Sequence, residues 1–251
     1  MTRVSDTILA LQDVCIRYGA IRVVNGVSLS LREGERHALL GTNGAGKTTL
    51  FNAISGEVPL AAGRISFQGR EITGIKAYRR ARLGIARTFQ TSLSFGDRSV
   101  RENIRIAFFG CQRQRFSFRP WARQHELEAR VTAALQEFDL TTVAERPVNE
   151  LSYGQQREIE LCMALVGSPD LLLLDEPAAG MSPEGRKELT RRLDILPRSI
   201  SMLFVEHDMD VALRLADRVT VMRDGEIVAT GTPEEIRCNA VVKEIYLGKA
   251  H

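Results

Sequence analysis

The chain has 251 residues, of which 44% are hydrophobic and 26% are charged. Such a composition excludes intrinsic disorder, and it excludes collagen-like and disulfide-scaffold proteins. The 34 lysines and arginines outnumber the 31 aspartates and glutamates only slightly, for a formal net charge of +3. Because bulk attraction to DNA or RNA needs a larger basic excess, we expect no nucleic acid partner.

The cysteines and the apolar runs bear on where the chain works. Cys15, Cys111, Cys162 and Cys238 form no Cys-x-x-Cys pair. Their scatter disfavours a zinc site and a disulfide framework, and it favours a reducing compartment. No uncharged apolar run approaches the roughly 20 residues of a membrane helix. We therefore expect any membrane role to come through partner proteins.

Residues 8–40 alternate apolar and polar side chains, which predicts β-strands. Three dipeptides interrupt the alternation and predict turns, namely Tyr18-Gly19, Asn25-Gly26 and Glu33-Gly34. We expect short antiparallel strands that lead into a buried strand at residues 38–40.

A glycine-rich turn separates that strand from a helical pattern, and together they match the P-loop pattern Gly-x4-Gly-Lys-Thr. In such a loop, backbone N–H groups surround phosphates, Lys47 neutralises the terminal phosphates and the Thr48 hydroxyl binds Mg²⁺. A chance glycine-rich turn is the alternative, which the strand before it and the helix after it disfavour. The residues expected to bind a nucleotide are Gly41, Thr42, Asn43, Gly44, Ala45, Gly46, Lys47, Thr48 and Thr49.

The segment from about 91 to 160 is poor in glycine and dense in charge. Within it, apolar side chains recur at helical spacing, at Leu127, Val131, Ala134, Leu135 and Phe138. We expect an inserted α-helical subdomain.

From residue 171 onward, short apolar runs alternate with helical patterns. Strands are predicted at 171–174, 202–205 and 219–222, and helices at 182–196 and 209–216. This alternation predicts parallel strands joined by crossover helices.

Two local signals mark the C-terminal part. Asp224-Gly225 supplies the positive φ angles of a tight hairpin. Thr232-Pro233, with Glu235 at capping-box spacing, predicts the start of a helix. We expect a hairpin and then a short C-terminal helix over about 233–248.

Two acids follow the buried strand at 171–174. A P-loop needs a second anchor for its metal, and Asp175 can hold the Mg²⁺ shell while Glu176 acts as general base for the attacking water. A buried strand has little other reason to carry two adjacent negative charges to its tip. An ordinary acid at the start of a helix is the alternative for Glu176.

The segment Leu151-Ser152-Tyr153-Gly154-Gln155 precedes an amphipathic helix. Ser152 and Gln155 have capping-box spacing, so the backbone N–H groups near Gly154 lie at a helix N-terminus, which is a ready anion site. From spacing alone, a simply well-capped helix is the favoured interpretation.

The order of these motifs resembles that of the ATP-binding subunits of ABC transporters. The order consists of the P-loop, Thr88-Phe89-Gln90, Leu-Ser-x-Gly-Gln at 151–155, Asp175-Glu176 and Glu206-His207-Asp208. The resemblance covers nearly the whole chain, and it implies one nucleotide-binding domain over residues 1–251. Its fold class is α/β, a P-loop core with an antiparallel β arm and an inserted helical subdomain. The resemblance further implies that two copies sandwich two ATP molecules, each held between one P-loop and the other copy's 151–155 loop.

The resemblance also implies roles for single residues. Tyr18 stacks on adenine, for which an ordinary half-buried strand tyrosine is the alternative. Gln90 contacts Mg²⁺ or the attacking water, and His207 contacts the γ-phosphate across from Glu176. The implied catalytic residues are Lys47, Gln90, Glu176 and His207; the implied Mg²⁺ ligands are Thr48, Gln90 and Asp175; the implied ATP contacts of the 151–155 loop are Ser152, Gly154 and Gln155.

The chain departs from the family's common pattern at two positions. Tyr153 stands where glycine is usual, which leaves the Ser152 and Gly154 contacts intact. Ser182 stands where many relatives carry aspartate, which weakens any cross-dimer role for that segment.

Several segments are similar to the branch of ABC importers for branched-chain amino acids, whose substrates also include urea, short amides and aromatic acids. They are Ala86-Arg87-Thr88-Phe89-Gln90, the signature Ser152-Tyr153-Gly154-Gln155-Gln156-Arg157, Glu206-His207-Asp208-Met209 and the tail from Gly231 to Ile236. This branch implies a homodimer, or a heterodimer with a paralogous ATPase. It also implies two integral membrane permease subunits, an external solute-binding protein that acts indirectly, and a place on the cytoplasmic face of the membrane.

Two other functions stay open. A lipopolysaccharide-export ATPase has a similar tail, although its signature usually keeps the ordinary glycine. A soluble ABC ATPase of DNA repair or translation needs a long coiled-coil insertion or a second P-loop, and this sequence contains neither.

The stretch from Arg113 to Arg123 is basic, is interleaved with aromatics and contains the single tryptophan. It is consistent with a solvated loop, with a permease or lipid-headgroup contact and, least favoured, with a nucleic-acid stacking surface.

Overall fold

A computed structural model describes residues 6–88, 94–111, 120–206 and 208–247. The strands are β1 Thr7–Tyr18, β2 Ile21–Arg32, β3 Arg36–Gly41, β4 Ala62–Phe67, β5 Arg70–Glu71, β6 Ile85–Arg87, β7 Leu171–Asp175, β8 Ser201–Val205, β9 Arg218–Arg223 and β10 Glu226–Gly231. The helices are α1 Lys47–Ser55, α2 Ala77–Leu83, α3 Val100–Cys111, α4 Pro120–Glu137, α5 Tyr153–Leu165, α6 Pro183–Asp194, α7 Met209–Leu215, α8 Pro233–Cys238 and α9 Ala240–Leu247. Two 3₁₀ turns lie at Thr141–Val143 and Val148–Glu150.

The central sheet has six strands in the order β10-β9-β3-β8-β7-β6. The pairs from β9 through β6 are parallel, and only β10 is antiparallel to its neighbour. The predicted alternation of strands and crossover helices after residue 171 is confirmed, as is the hairpin at Asp224-Gly225 between β9 and β10.

This sheet is buried on both faces, which explains why its strands are continuous apolar runs. Along β7, Leu172 and Leu174 pack with the helices that follow β6, whereas Leu171 and Leu173 pack with α1 and the N-terminal strands. The period of two in a strand divides these side chains between two cores. All five apolar residues predicted on the face of α4 and the turn after it are buried in the first of these cores.

The second sheet is antiparallel, with strand order β2-β1-β4-β5. The prediction of short strands in this region is wrong, because β1 and β2 are each 12 residues long. Asn25-Gly26 is not a turn: it lies inside β2, where the register with β1 shifts between Val14 and Ile16. β2 pairs with β1 both before and after Asn25-Gly26, so the strand continues through a β-bulge at this point. The local sequence alone predicts a turn there.

The C-terminal segment differs from its prediction in one respect. Thr232 and Glu235 form the expected capping box at the start of α8. The single helix expected over about 233–248 is two helices, because Asn239 adopts an extended backbone conformation after α8. The Asn239 side chain then accepts hydrogen bonds from Val241 N and Val242 N in α9. Of the helices in the described ranges, none is long and apolar enough to cross a membrane.

Candidate nucleotide site

The glycine-rich turn connects β3 to α1 at the carboxyl end of the central sheet. Gly46 is the N-cap residue of α1 with φ of 93°, and a Cβ on it would lie 2.7 Å from the Val23 carbonyl oxygen. At Gly41, a Cβ would lie 2.2 Å from the Met222 carbonyl oxygen. Only glycine fits these positions, so the loop is packed tightly against β2 and β9. No side chain caps α1, which leaves its first N–H groups for an anion.

Lys47 is buried at the start of α1, with only 6% of its surface exposed. Its Nζ donates hydrogen bonds to the carbonyl oxygens of Gly41 at 2.8 Å and Thr42 at 3.0 Å. Burial lowers the pKa of Lys47, while the charges of Glu176 and Asp175 act in the opposite direction. The lysine is therefore held inside the loop and within electrostatic reach of both predicted acids.

Asp175 ends β7 and is 1% exposed. Its Oδ2 accepts a hydrogen bond from Arg87 Nη2 at 3.2 Å, whereas its Oδ1 is buried without a hydrogen-bond partner. Burial raises the pKa of Asp175, and the Arg87 charge counteracts that rise in part. A buried carboxylate oxygen with no donor fits an oxygen-preferring divalent cation such as Mg²⁺.

Glu176 lines a cavity of about 420 Å³ together with Val23 and the P-loop residues from Asn43 to Thr49. Its backbone has φ of 52°, which is unusual for a residue other than glycine. A hydrogen bond from Glu176 N to Val205 O at 3.0 Å holds that conformation. The strained turn directs Glu176 to the cavity instead of continuing β7.

The start of α5 lies elsewhere on the chain. Ser152 and Gln155 form a capping box, in which Ser152 Oγ accepts from Gln155 N at 3.4 Å and Gln155 Oε1 accepts from Ser152 N at 3.1 Å. Within the described ranges, neither they nor Gly154 lines the P-loop cavity. One copy of the chain does not bring these two predicted anion sites together.

Tyr153, the departure from glycine, is anchored by its own helix. Its hydroxyl accepts hydrogen bonds from Arg157 Nη2 at 2.6 Å and Nε at 3.0 Å. Its ring lies against Gly180, where a Cβ would approach Tyr153 Cε1 to 3.2 Å. The substitution thus packs the start of α5 against the segment that precedes Ser182, which is itself the N-cap of α6.

Tyr18 is the last residue of β1 and is 50% exposed, next to Ile21 at 69%. At half exposure, the ring at the tip of this hairpin is accessible for stacking, and it fits the alternative of a half-buried strand tyrosine equally well. Gln90 and His207 lie outside the described residues, as does the stretch from Arg113 to Arg119.

Sequence reasoning assigned no role to two charged residues that border the site. Arg87 ends β6, the parallel neighbour of β7, and pairs with Asp175. Glu206 follows β8, is 5% exposed, and its Oε1 accepts from Ala178 N at 3.4 Å. The signal available in the sequence was a charged residue at the end of a short apolar run, as at Arg87, or directly after one, as at Glu206.

Residues 24–179, which contain the P-loop, Asp175 and Glu176, match the family model described as ABC transporter. The match spans more than half of the chain, so the chain belongs to the ATP-binding proteins of the ABC transporter family. Residues 226–251 match a second model, described as branched-chain amino acid ATP-binding cassette transporter. The resemblance read from the motifs is confirmed.

Individual relatives agree along almost the full length. The chain is 38% identical to the high-affinity branched-chain amino acid transport ATP-binding protein LivG of Salmonella typhimurium, over 98% of this chain and 100% of that one. It is 37% identical to the high-affinity branched-chain amino acid transport ATP-binding protein BraF of Pseudomonas aeruginosa. That match covers 98% of this chain and 100% of BraF.

Two solved structures share the fold. A nucleotide-free ATP-binding cassette from an ABC transporter superposes with a TM-score of 0.85 at 30% identity, over 97% of this chain and 100% of that one. Another ATP-binding cassette, in its ADP conformation, has a TM-score of 0.84 at 28% identity, over 98% and 100%. The predicted α/β fold class is confirmed.

Proposed function

We propose that this chain is the ATP-hydrolysing subunit of an importer for branched-chain or related amino acids. The observation that carries the proposal is the cavity that Glu176 shares with the P-loop, with Lys47 inside the loop and the bare Oδ1 of Asp175 at the end of β7. The names of the LivG and BraF relatives support the substrate class. The match of residues 226–251 favours this branch over lipopolysaccharide export.

Each residue has a defined task in this proposal. The loop from Gly41 to Thr49 binds the phosphates of ATP, and Lys47 turns from the loop carbonyls to the terminal phosphates. Thr48, Asp175 and Gln90 would hold Mg²⁺, which neutralises phosphate charge when bound. Glu176 accepts the proton of the attacking water, with His207 at the γ-phosphate and Tyr18 against the adenine.

The second anion site, at Ser152, Gly154 and Gln155, serves the ATP of another copy. Because ATP binds the closed pair more tightly than the open pair, binding closes the dimer and hydrolysis releases it. The partner ATPase is a second copy or a paralogue.

The permease subunits need a docking surface on the ATPase, and a groove of about 570 Å³ supports one. It lies between α2, β6 and the ends of α3 and α5, and Tyr78, Arg87, Cys111 and Met163 belong to its lining. Exposed apolar side chains at Phe95 and Phe109, before and within α3, are further candidates for a protein contact. In this proposal the chain works on the cytoplasmic face of the membrane, and the solute-binding protein acts on the other side.

The direct test is Lys47→Ala. We expect ATP hydrolysis by the purified chain, and amino-acid uptake by membranes that carry the whole transporter, to fall to background. The variant removes the buried ammonium that neutralises the terminal phosphates in this proposal. A matched control is Lys76→Ala, which removes an exposed lysine before α2. Hydrolysis that persists in Lys47→Ala would rule out the P-loop assignment.

A further inference from the structure

Arg87 joins the end of α1 to the end of β7. Its Nη1 donates to Ser55 Oγ at 3.0 Å and to Glu57 Oε1 at 3.2 Å, both beyond or at the end of α1. Its Nη2 donates to Asp175 Oδ2 at 3.2 Å. With 6% of its side chain exposed, the guanidinium is buried between these acids.

The two acids that share Arg87 face different surroundings. Asp175 is 1% exposed and ends β7 directly before Glu176, which lines the P-loop cavity, whereas the side chain of Glu57 is 35% exposed. Glu57, Ser55 and Arg87 all line the 570 Å³ groove. The two ion pairs, Glu57–Arg87 and Arg87–Asp175, therefore connect the wall of the groove to the carboxylate proposed to hold the metal.

One cation between two carboxylates interacts with each of them less strongly than it would with one alone. Because the guanidinium is buried, its charge is little screened by water. The way it is shared between the two carboxylates therefore changes how strongly each carboxylate attracts another cation. Arg87 leaves Oδ1 of Asp175 bare while its positive charge opposes a cation there. Whatever neutralises Glu57 leaves more of the Arg87 charge on Asp175.

We propose that Arg87 is an electrostatic relay between the groove and the metal carboxylate, so that contacts made to Glu57 in the groove set the affinity of Asp175 for Mg²⁺. The proposal rests on the assignment of Asp175 made above. Arg87 acts through Asp175 and is a positioning residue. Binding of a cationic group to Glu57 would lower the affinity for Mg²⁺, and release of that group would restore it.

The test uses the full chain and a non-hydrolysable ATP analogue, AMP-PNP. Calorimetry gives its affinity with excess Mg²⁺ and with EDTA, and the ratio of the two is the Mg²⁺ enhancement. Arg87→Met removes the opposing charge, so we expect the enhancement to rise by a factor on the order of five. Glu57→Gln concentrates the Arg87 charge on Asp175, so we expect the enhancement to fall by a similar factor. Arg87→Lys keeps the charge and should restore the wild-type ratio.

Arg101→Gln is the matched control, because it removes an arginine whose carboxylate partner, Glu145, is 73% exposed, and neither residue lines the P-loop cavity or the groove. We expect it to leave the enhancement unchanged. Should Arg87→Met fail to fold, Glu57→Gln carries the test alone, since it changes a partly exposed side chain. Equal ratios in wild type and Glu57→Gln, or shifts of both variants in the same direction, overturn the relay. A wild-type chain with no Mg²⁺ enhancement overturns the metal assignment itself, and the relay with it.

Discussion

Arg80 is the largest side chain that is fully buried in the part of the chain that the structure describes, at 2% exposure. It makes four hydrogen bonds to main-chain carbonyl oxygens, those of Ala53, Ile54, Thr73 and Ile75, at 2.7 to 2.9 Å. Two of these carbonyls belong to the last turn of α1, and that of Ala53 also accepts a hydrogen bond from the C-cap residue Gly56 at 3.2 Å. Burial lowers the pKa of Arg80 to about 10, which still leaves it charged at neutral pH.

We expect Arg80→Lys to destabilise the chain by about 3 kcal/mol, because an ammonium cannot donate to four carbonyls around a planar fork. Thermal unfolding should show a fall in Tm of roughly 6–12 °C for a chain of this size. Arg79→Lys, at the exposed neighbouring position, should change Tm little. Equal Tm values for the two variants would contradict the view that Arg80 fixes the end of the P-loop helix.

At the scale of elements, two helices begin with the same N-terminal motif, a capping box. α5 starts with the Ser152 and Gln155 capping box, and α8 starts with the Thr232 and Glu235 capping box. The same capping geometry therefore occurs at Ser152, which has a proposed nucleotide contact, and at Thr232, which has none. The α8 box provides the reference, because it has no proposed ligand.

We expect Ser152→Ala and Thr232→Ala to lose about 1 kcal/mol of stability each, the usual value of an N-cap. Only Ser152→Ala should also reduce ATP hydrolysis, by tenfold or more, because it removes a contact to the ATP of the other copy. Urea unfolding and steady-state ATPase assays measure the two effects separately. If both variants lost the same fraction of activity, Ser152 would be a cap and nothing else.

The elements also show how far sequence reasoning reaches. The P-loop turn, the capping boxes and the Asp224-Gly225 hairpin depend on neighbours in sequence, so their patterns predict them. The bulge at Asn25-Gly26 depends on pairing with β1, and that pairing overrides the local turn signal. Arg87 meets Asp175 only because β6 and β7 are adjacent, a contact over 88 positions that no spacing rule contains.

At the scale of the whole molecule, the sheet separates two hydrophobic cores, one with α1 and the antiparallel strands and one with the helices after β6. The P-loop cavity lies at the carboxyl ends of the parallel strands, which is the usual place for ligands in such sheets. Among the described residues, Ser152 and Gly154 do not line that cavity. A complete site, in the proposal made above, needs two copies.

Glu176→Gln tests this two-copy arrangement. Glutamine has nearly the same shape and keeps the backbone hydrogen bond to Val205 O, but it cannot accept a proton from water. We expect ATP binding to persist while hydrolysis falls by a factor on the order of 100 or more. Since ATP then remains between the two copies, an ATP-dependent dimer should accumulate in sedimentation experiments, whereas the wild type returns to monomer as ATP is consumed. Glu184→Gln, at an exposed acid in the first turn of α6, should behave like the wild type. Wild-type turnover by Glu176→Gln would exclude Glu176 as the general base, and slow turnover without a dimer would exclude the shared site.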